Sequence, residues 1–308
     1  MSKGYQALRH VAGWMDVSTR GRIIARGRDR ARLLHNVTTN EVKKMTPGAG
    51  CYAFLLTPQG RIQADLLLFA FEDHFLIDTA PELREKVLQH IRRYIIADQV
   101  TLEDVTAATS AIAVEGPEAA AVLAAIGAPV PAEEYQHQPW GERWVAAVSL
   151  TGQPGFRIYG AANLEPQLAA AGARPASEED ARVVRIENGR PRYGEDIRET
   201  SLPQETGQMH AVSFTKGCYL GQEIVERIRA QGHVNKKLVR LEIAAPDPPP
   251  PGTKLMANGN EAGEVTSSVF SPELGKAVAL AYVRTTYAEP GKLLEAGGFA
   301  AEVTGGRR

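Results

Sequence analysis

The stretch Arg185-Ile186-Glu187-Asn188-Gly189-Arg190-Pro191-Arg192-Tyr193-Gly194-Glu195-Asp196-Ile197 is where the fold is decided. Glu187 ends a run from Glu178 that reads as a helix, and Asn188-Gly189 supplies its stop. The glutamate shares the helix face of Val183 and Val184. A carboxylate so placed can lie exposed, can pair with Arg185 or Arg190, or can point into a pocket. The third arrangement has chemical interest, because a carboxylate accepts two parallel hydrogen bonds from a guanidine-like N–H edge.

Downstream, Phe214-Thr215-Lys216-Gly217-Cys218-Tyr219-Leu220-Gly221-Gln222-Glu223 holds one of only two cysteines in the chain. Ile224, Val225 and Ile228 follow at helical spacing, so Cys218 falls in a turn just ahead of a helix. Cys218 is either a small buried hydrophobe or a thiol helped to ionise by Lys216 and the positive end of the helix dipole. Gly217 and Gly221 permit close backbone approach or a positive φ.

At 308 residues the chain is long for one core and implies two or three domains. A net charge of -1 gives no overall pull toward nucleic acid or membrane. Met1 to Tyr5 carries no apolar leader run, and nowhere is a stretch long and apolar enough to cross a bilayer. Cys51 and Cys218 lie far apart, which argues against a disulfide framework and for a reducing cytoplasm. Two thiols also cannot hold a four-thiolate iron–sulfur cluster within one chain. The seven histidines are scattered, and phosphate-binding, dinucleotide, zincin and nucleophile-elbow motifs are all missing.

The basic run Arg20 to Arg32 reads either as a phosphate or RNA contact or as a strand, a turn at Gly27 and a helix capped by Asp29, with a solvated arginine face. Cys51 to Leu56 and Ile62 to Phe71 read as paired strands, and Pro81 opens a helix running to Ile95. Residues 129–141 read as a loop, and Trp144 to Leu150 pairs with Phe156 to Tyr159. After Pro246-Asp247-Pro248-Pro249-Pro250-Pro251-Gly252, short strands with glycine turns predict a small antiparallel barrel.

Several of these blocks together resemble a known family. Lys-Gly-Cys-Tyr-x-Gly-Gln-Glu at 216–223 resembles the hallmark of YgfZ proteins, folate-binding relatives of the glycine-cleavage aminomethyltransferase (T-protein). Arg-x-Glu-x-Gly with Tyr-Gly-x-Asp-Ile, the turn Thr151-Gly152-x-x-Gly155-Phe156, the segment Gly60 to Leu68, and the paired Gly263 to Ser267 and Ala279 to Val283 are similar to the T-protein pattern in the same order. The resemblance implies an α+β, T-protein-like fold: a folate-binding core of two interleaved α/β subdomains over residues 1–236, then a C-terminal antiparallel β-barrel over 237–308. It implies tetrahydrofolate as cofactor, with Glu187 on the pterin edge and Asp65, Tyr193 and Arg227 lining the pocket. No stably bound metal or cluster is expected.

The YgfZ resemblance further implies support of iron–sulfur assembly or repair in client proteins by a cytoplasmic monomer. Cys218 would be the reactive thiol, Lys216 its activator, and Gly217, Tyr219, Gly221, Gln222 and Glu223 the frame of the turn. Two departures from the T-protein pattern favour that reading over an active aminomethyltransferase with a lipoyl-carrier partner. Ala64-Asp65 stands where T-proteins carry two acidic residues, and Arg157 replaces a glutamate. An RNA-associated scaffold is the third reading.

Overall fold

The computed structural model describes residues 1–305, so the last three residues of the expected 237–308 domain lie outside the described residues. The chain opens with α1 (Lys3–His10) and β1 (Gly13–Asp16). It then builds β2 (Gly21–Arg26), α2 (Arg30–Val37), β3 (Gly50–Leu56), β4 (Ile62–Ala70), β5 (His74–Thr79), α3 (Arg84–Arg92) and β6 (Thr101–Asp104). It returns through β7 (Ala111–Glu115), α4 (Ala119–Ala125), β8 (His137–Trp140), β9 (Arg143–Ala146), β10 (Gly155–Tyr159), α5 (Glu165–Ala170), β11 (Arg174–Pro175) and α6 (Glu178–Glu187). After α7 (Gln222–Gln231) come β12 (Lys236–Ile243), β13 (Lys254–Ala257), β14 (Asn260–Ser271), β15 (Lys276–Arg284), β16 (Leu293–Ala296) and β17 (Phe299–Thr304).

Strands β2 to β6 form one five-stranded sheet, inserted between β1 and β7 of a six-stranded sheet ordered β11-β1-β7-β10-β9-β8. The two subdomains are therefore interleaved, as the resemblance implied. Leu67, Phe69 and Leu76 of the inserted sheet meet Met15, Ala113 and Tyr159 of the other in one apolar cluster, so the sheets pack face to face. Strand β4 decides what lies in that layer. Its residues Ile62, Ala64, Leu66 and Leu68 face the outer core, which they share with α2 and α3. Asp65, Leu67 and Phe69 alternate to the inter-sheet face.

The six C-terminal strands close into a barrel. Ala277, Ala279, Ala281 and Val283 point inward and are buried, small enough to let a six-stranded barrel fill its own interior. A register shift between Val265 and Ser267 bulges β14. Neighbours on a strand normally point to opposite faces, but here Thr266 and Ser267 both donate to Asp196 Oδ1, at 2.6 and 2.7 Å. Asp196 Oδ2 accepts from Arg185 Nη1 at 2.7 Å and from the Arg192 N–H at 3.0 Å. This fully buried aspartate joins the barrel to the core.

Local expectations fail where a distant partner intervenes. Asp29 holds the N-cap position of α2, but its side chain makes no capping hydrogen bond there; its Oδ2 accepts the Gln99 N–H at 2.8 Å instead. The expected loop at 129–141 contains β8, which pairs with β9. The expected strand 144–150 ends at Ala146, because the Leu150 and Thr151 N–H groups bend away to the buried carboxylate of Glu115. The helix from Pro81 begins as a 3-10 turn and its regular part stops at Arg92.

The arginines of the basic run are spent within the fold. Arg20 pairs with Asp78 at 2.7 Å, Arg26 with Asp73, and Arg32 with Asp98 at 2.7 Å, while Arg22 is buried against the carbonyls of Ser18, Thr106 and Thr109. A surface neutralised in this way offers little charge for releasing counterions from a nucleic acid. Among the described residues no helix is long and apolar enough to cross a membrane.

Candidate active site

Between the two sheets, lined also by residues of α6 and of the segment that follows it, lies a cavity of about 310 Å³, within the range of small-molecule pockets. Asp65, Tyr52, Tyr193, Arg190, Arg20 and Glu195 supply its chemistry. Tyr52 donates from Oη to Asp65 Oδ2 at 3.0 Å. Asp65 Oδ1 has no hydrogen-bond partner among the described residues. Burial pushes the Asp65 carboxyl up, against the opposing pull of Arg20 and the Tyr52 hydrogen bond. Its proton is thus held more tightly than an ordinary aspartate's.

The charges around the cavity divide unevenly. Glu195 is shared by Arg185 at 2.9 Å, Arg182 at 3.4 Å and Arg192 at 3.5 Å. Arg157 and Arg20 both hold Asp78, each at 2.8 Å or less; burial would raise that carboxyl, but the two guanidiniums outweigh it and keep it low. Arg190 has no carboxylate partner among the described residues. The cavity therefore offers one free carboxylate oxygen, two aromatic walls and a guanidinium, beside the Tyr135 hydroxyl, that is held by no carboxylate among the described residues.

Of the residues expected in the pocket, Asp65 and Tyr193 are there and Glu187 and Arg227 are not. Glu187 is 1% exposed, its Oε1 taken by the hydroxyls of Tyr5 at 2.8 Å and Ser271, with Arg9 Nε 3.4 Å from Oε2. These contacts tie α1 and the barrel to α6. Arg227 lies on the exposed side of α7. Tyr52 and Arg190 also line the cavity, which the sequence motifs do not indicate. The Tyr52 signal was available, since alternation along paired β3 and β4 brings it to the face of Asp65.

The cysteine block is a structural clamp. Lys216 is buried, and its ammonium donates to the carbonyls of His35, Thr38 at 2.7 Å and Asn40 at 2.8 Å, which end α2. Burial pushes this ammonium down to about 8. Cys218 itself is exposed, away from the cavity, and the lysine meant to activate it faces α2. Tyr219 is buried in the outer core, and Gln222 Oε1 accepts the Tyr219 N–H at 3.3 Å. Glu223, like Gly217, is exposed.

Gly221 has φ +83°, and a Cβ there would stand 2.5 Å from the Thr57 carbonyl oxygen in the β3–β4 turn. Gly221→Ala is expected to destabilise the protein by about 1–3 kcal/mol from backbone strain alone, with the contact adding to it; chemical denaturation measures this. Cys218→Ser, by contrast, should change stability by less than about 0.5 kcal/mol.

Two facing sheets around a polar cavity, with a barrel pinned by a buried aspartate, define an α+β small-molecule-binding core with an appended barrel. The chain belongs to the glycine cleavage T-protein family: residues 1–216 match the GCVT N-terminal domain and residues 236–304 the glycine cleavage T-protein C-terminal barrel domain. It is similar to the aminomethyltransferase of Rubrobacter xylanophilus, 33% identical over 91% of this chain and 78% of that protein. It is also similar to the aminomethyltransferase of Caldanaerobacter subterraneus subsp. tengcongensis, 28% identical over 94% and 82%. The glycine cleavage system aminomethyltransferase T of Bartonella henselae shares the fold, with a TM-score of 0.89 at 24% identity over 98% of this chain and 87% of that one.

These relatives overturn the iron–sulfur reading. Tetrahydrofolate is the cofactor of this family, and the cavity fits it. The Asp65 Oδ1 acceptor, the Tyr52 and Tyr193 rings and the Arg190 guanidinium are groups that a reduced folate's reacting nitrogens, pterin ring and anionic glutamate tail would meet. Among the described residues no group of three or more metal-ligating side chains is placed to hold an ion.

Proposed function

We propose that this protein is a tetrahydrofolate-dependent aminomethyltransferase, with Asp65 the proton-handling group at the reacting edge of the folate. The observation that carries the reading is the direction of β4. Ala64, which in the sequence stands where a T-protein carboxylate is expected, is fully buried in the outer core. A carboxylate there would never meet a ligand in the cavity. Asp65, on the opposite face, lines the cavity. The departure from the paired acidic pattern therefore leaves the cavity's own carboxylate in place.

Reduced folate supplies the nucleophilic nitrogen that takes up the one-carbon unit. The protein's share is to bind and orient it and to move a proton at Asp65 Oδ1. Tyr193 and Tyr52 wall the pterin, and Arg190 draws the anionic tail. Arg157, the second departure, is buried in its pair with Asp78 and supports the cavity floor. The partner in this reading is an aminomethyl-loaded lipoyl carrier.

Anaerobic calorimetric titration with tetrahydrofolate tests the ligand. Wild type should bind, and Arg190→Ala should weaken binding by about tenfold or more, the worth of one hydrogen bond to a charged group. Glu187→Gln should cost stability without a specific loss of folate affinity. Wild type that binds no folate would sink the reading.

A further inference from the structure

We propose that Tyr52 is a positioning residue for Asp65: its hydroxyl occupies Oδ2, so that Oδ1 alone meets the substrate. The inference deepens the transferase reading and rests on it. Tyr52 and Asp65 stand on adjacent strands, where Tyr52 is registered with Leu67 and Asp65 with Phe54, so the two are diagonal neighbours on one face. The hydroxyl reaches Oδ2 at 3.0 Å. The tyrosine ring is in turn held from both edges of its environment. His210 stacks on it with centroids 5.4 Å apart at 25°, Phe54 meets it edge-on at 5.4 Å, and Tyr135 stacks in line with His210 at 6.4 Å and 11°.

A carboxylate on a strand has a free terminal torsion and two equivalent oxygens. Left alone, either could turn to the cavity. One fixed donor removes that freedom and also favours the ionised form. The other groups facing Asp65 are Arg20 from the β1–β2 turn, Glu82 ahead of α3, and Tyr193 from the segment after α6. Arg20 is already shared with Asp78 at 2.7 Å, which leaves Tyr52 as the partner that bonds Asp65 directly.

Tyr52→Phe removes the hydroxyl and keeps the ring stack, so the fold survives. Two readouts are taken on wild type and variant: the titration of the Asp65 carboxyl carbon by NMR, and the pH dependence of kcat with tetrahydrofolate and a loaded lipoyl carrier. The inference predicts that the Asp65 titration moves to higher pH in the variant, that the acid limb of the rate profile moves with it, and that kcat falls roughly tenfold, as for loss of one charge-assisted hydrogen bond. KM for tetrahydrofolate should stay nearly unchanged. An unmoved Asp65 titration overturns the inference. A moved titration with an unmoved rate profile supports the positioning contact but overturns Asp65 as the proton-handling group, and with it the transferase mechanism.

Discussion

Asp65→Asn is expected to lower kcat by about 10²–10⁴-fold, the usual contribution of a positioned proton-transfer group, while making the protein more stable at neutral pH. The second half follows from the burial that raises the Asp65 carboxyl. A carboxyl raised in the folded state binds its proton more tightly there than in the unfolded chain. Stability is then lost as pH rises from the ordinary carboxylate range through the folded value. Asparagine keeps the acceptor for Tyr52 and removes the ionisation, so it escapes that loss. The variant's melting midpoint should exceed the wild type's at pH 7–8, and the two should converge as the pH falls toward about 4, the unperturbed aspartate value. A variant that loses stability at every pH would mean that Asp65 is structural.

Asp196→Ala should be the most damaging single change outside the cavity. It removes the acceptor for four donors, two from the core and two from the barrel bulge, and leaves Arg185 leaning on Glu195 and the Arg190 carbonyl alone. Breaking a buried ionic contact of this kind costs about 3–5 kcal/mol. Asp196→Asn should be milder. Its amide can turn toward Thr266 and Ser267, whose hydroxyls can reverse and accept, while its carbonyl still receives Arg185 and Arg192. Denaturant unfolding of both variants measures the order; equal damage would contradict the role assigned to the hydroxyls.

The barrel was legible because its strands are short, alternating and separated by glycine turns, so local pattern and final structure agree. The interleaving of the two sheets came only through family resemblance, since nothing local announces that β7 returns beside β1. The site was legible in part. Asp65 stands out in the sequence, but its neighbour Ala64 reads as a missing carboxylate only while the face of β4 it occupies is left aside. The period of two along the strand answers that question. Lys216 is a different case. Its nearest neighbour in sequence is the cysteine turn, but its hydrogen-bond partners lie at 35–40, near the end of α2. Glu187 likewise found its partners in Tyr5 and Ser271, at opposite ends of the chain. Long-range satisfaction of buried polar groups was the term that local reading could not supply.

The central claim is tested most directly by single-turnover reaction of the purified protein with tetrahydrofolate and an aminomethyl-loaded lipoyl carrier, following consumption of tetrahydrofolate and release of the carrier thiol. The account predicts that both occur together with wild type and with Cys218→Ser, and that both slow together by about 10²–10⁴-fold with Asp65→Asn. Folate binding by the wild type without any release of carrier thiol would contradict it.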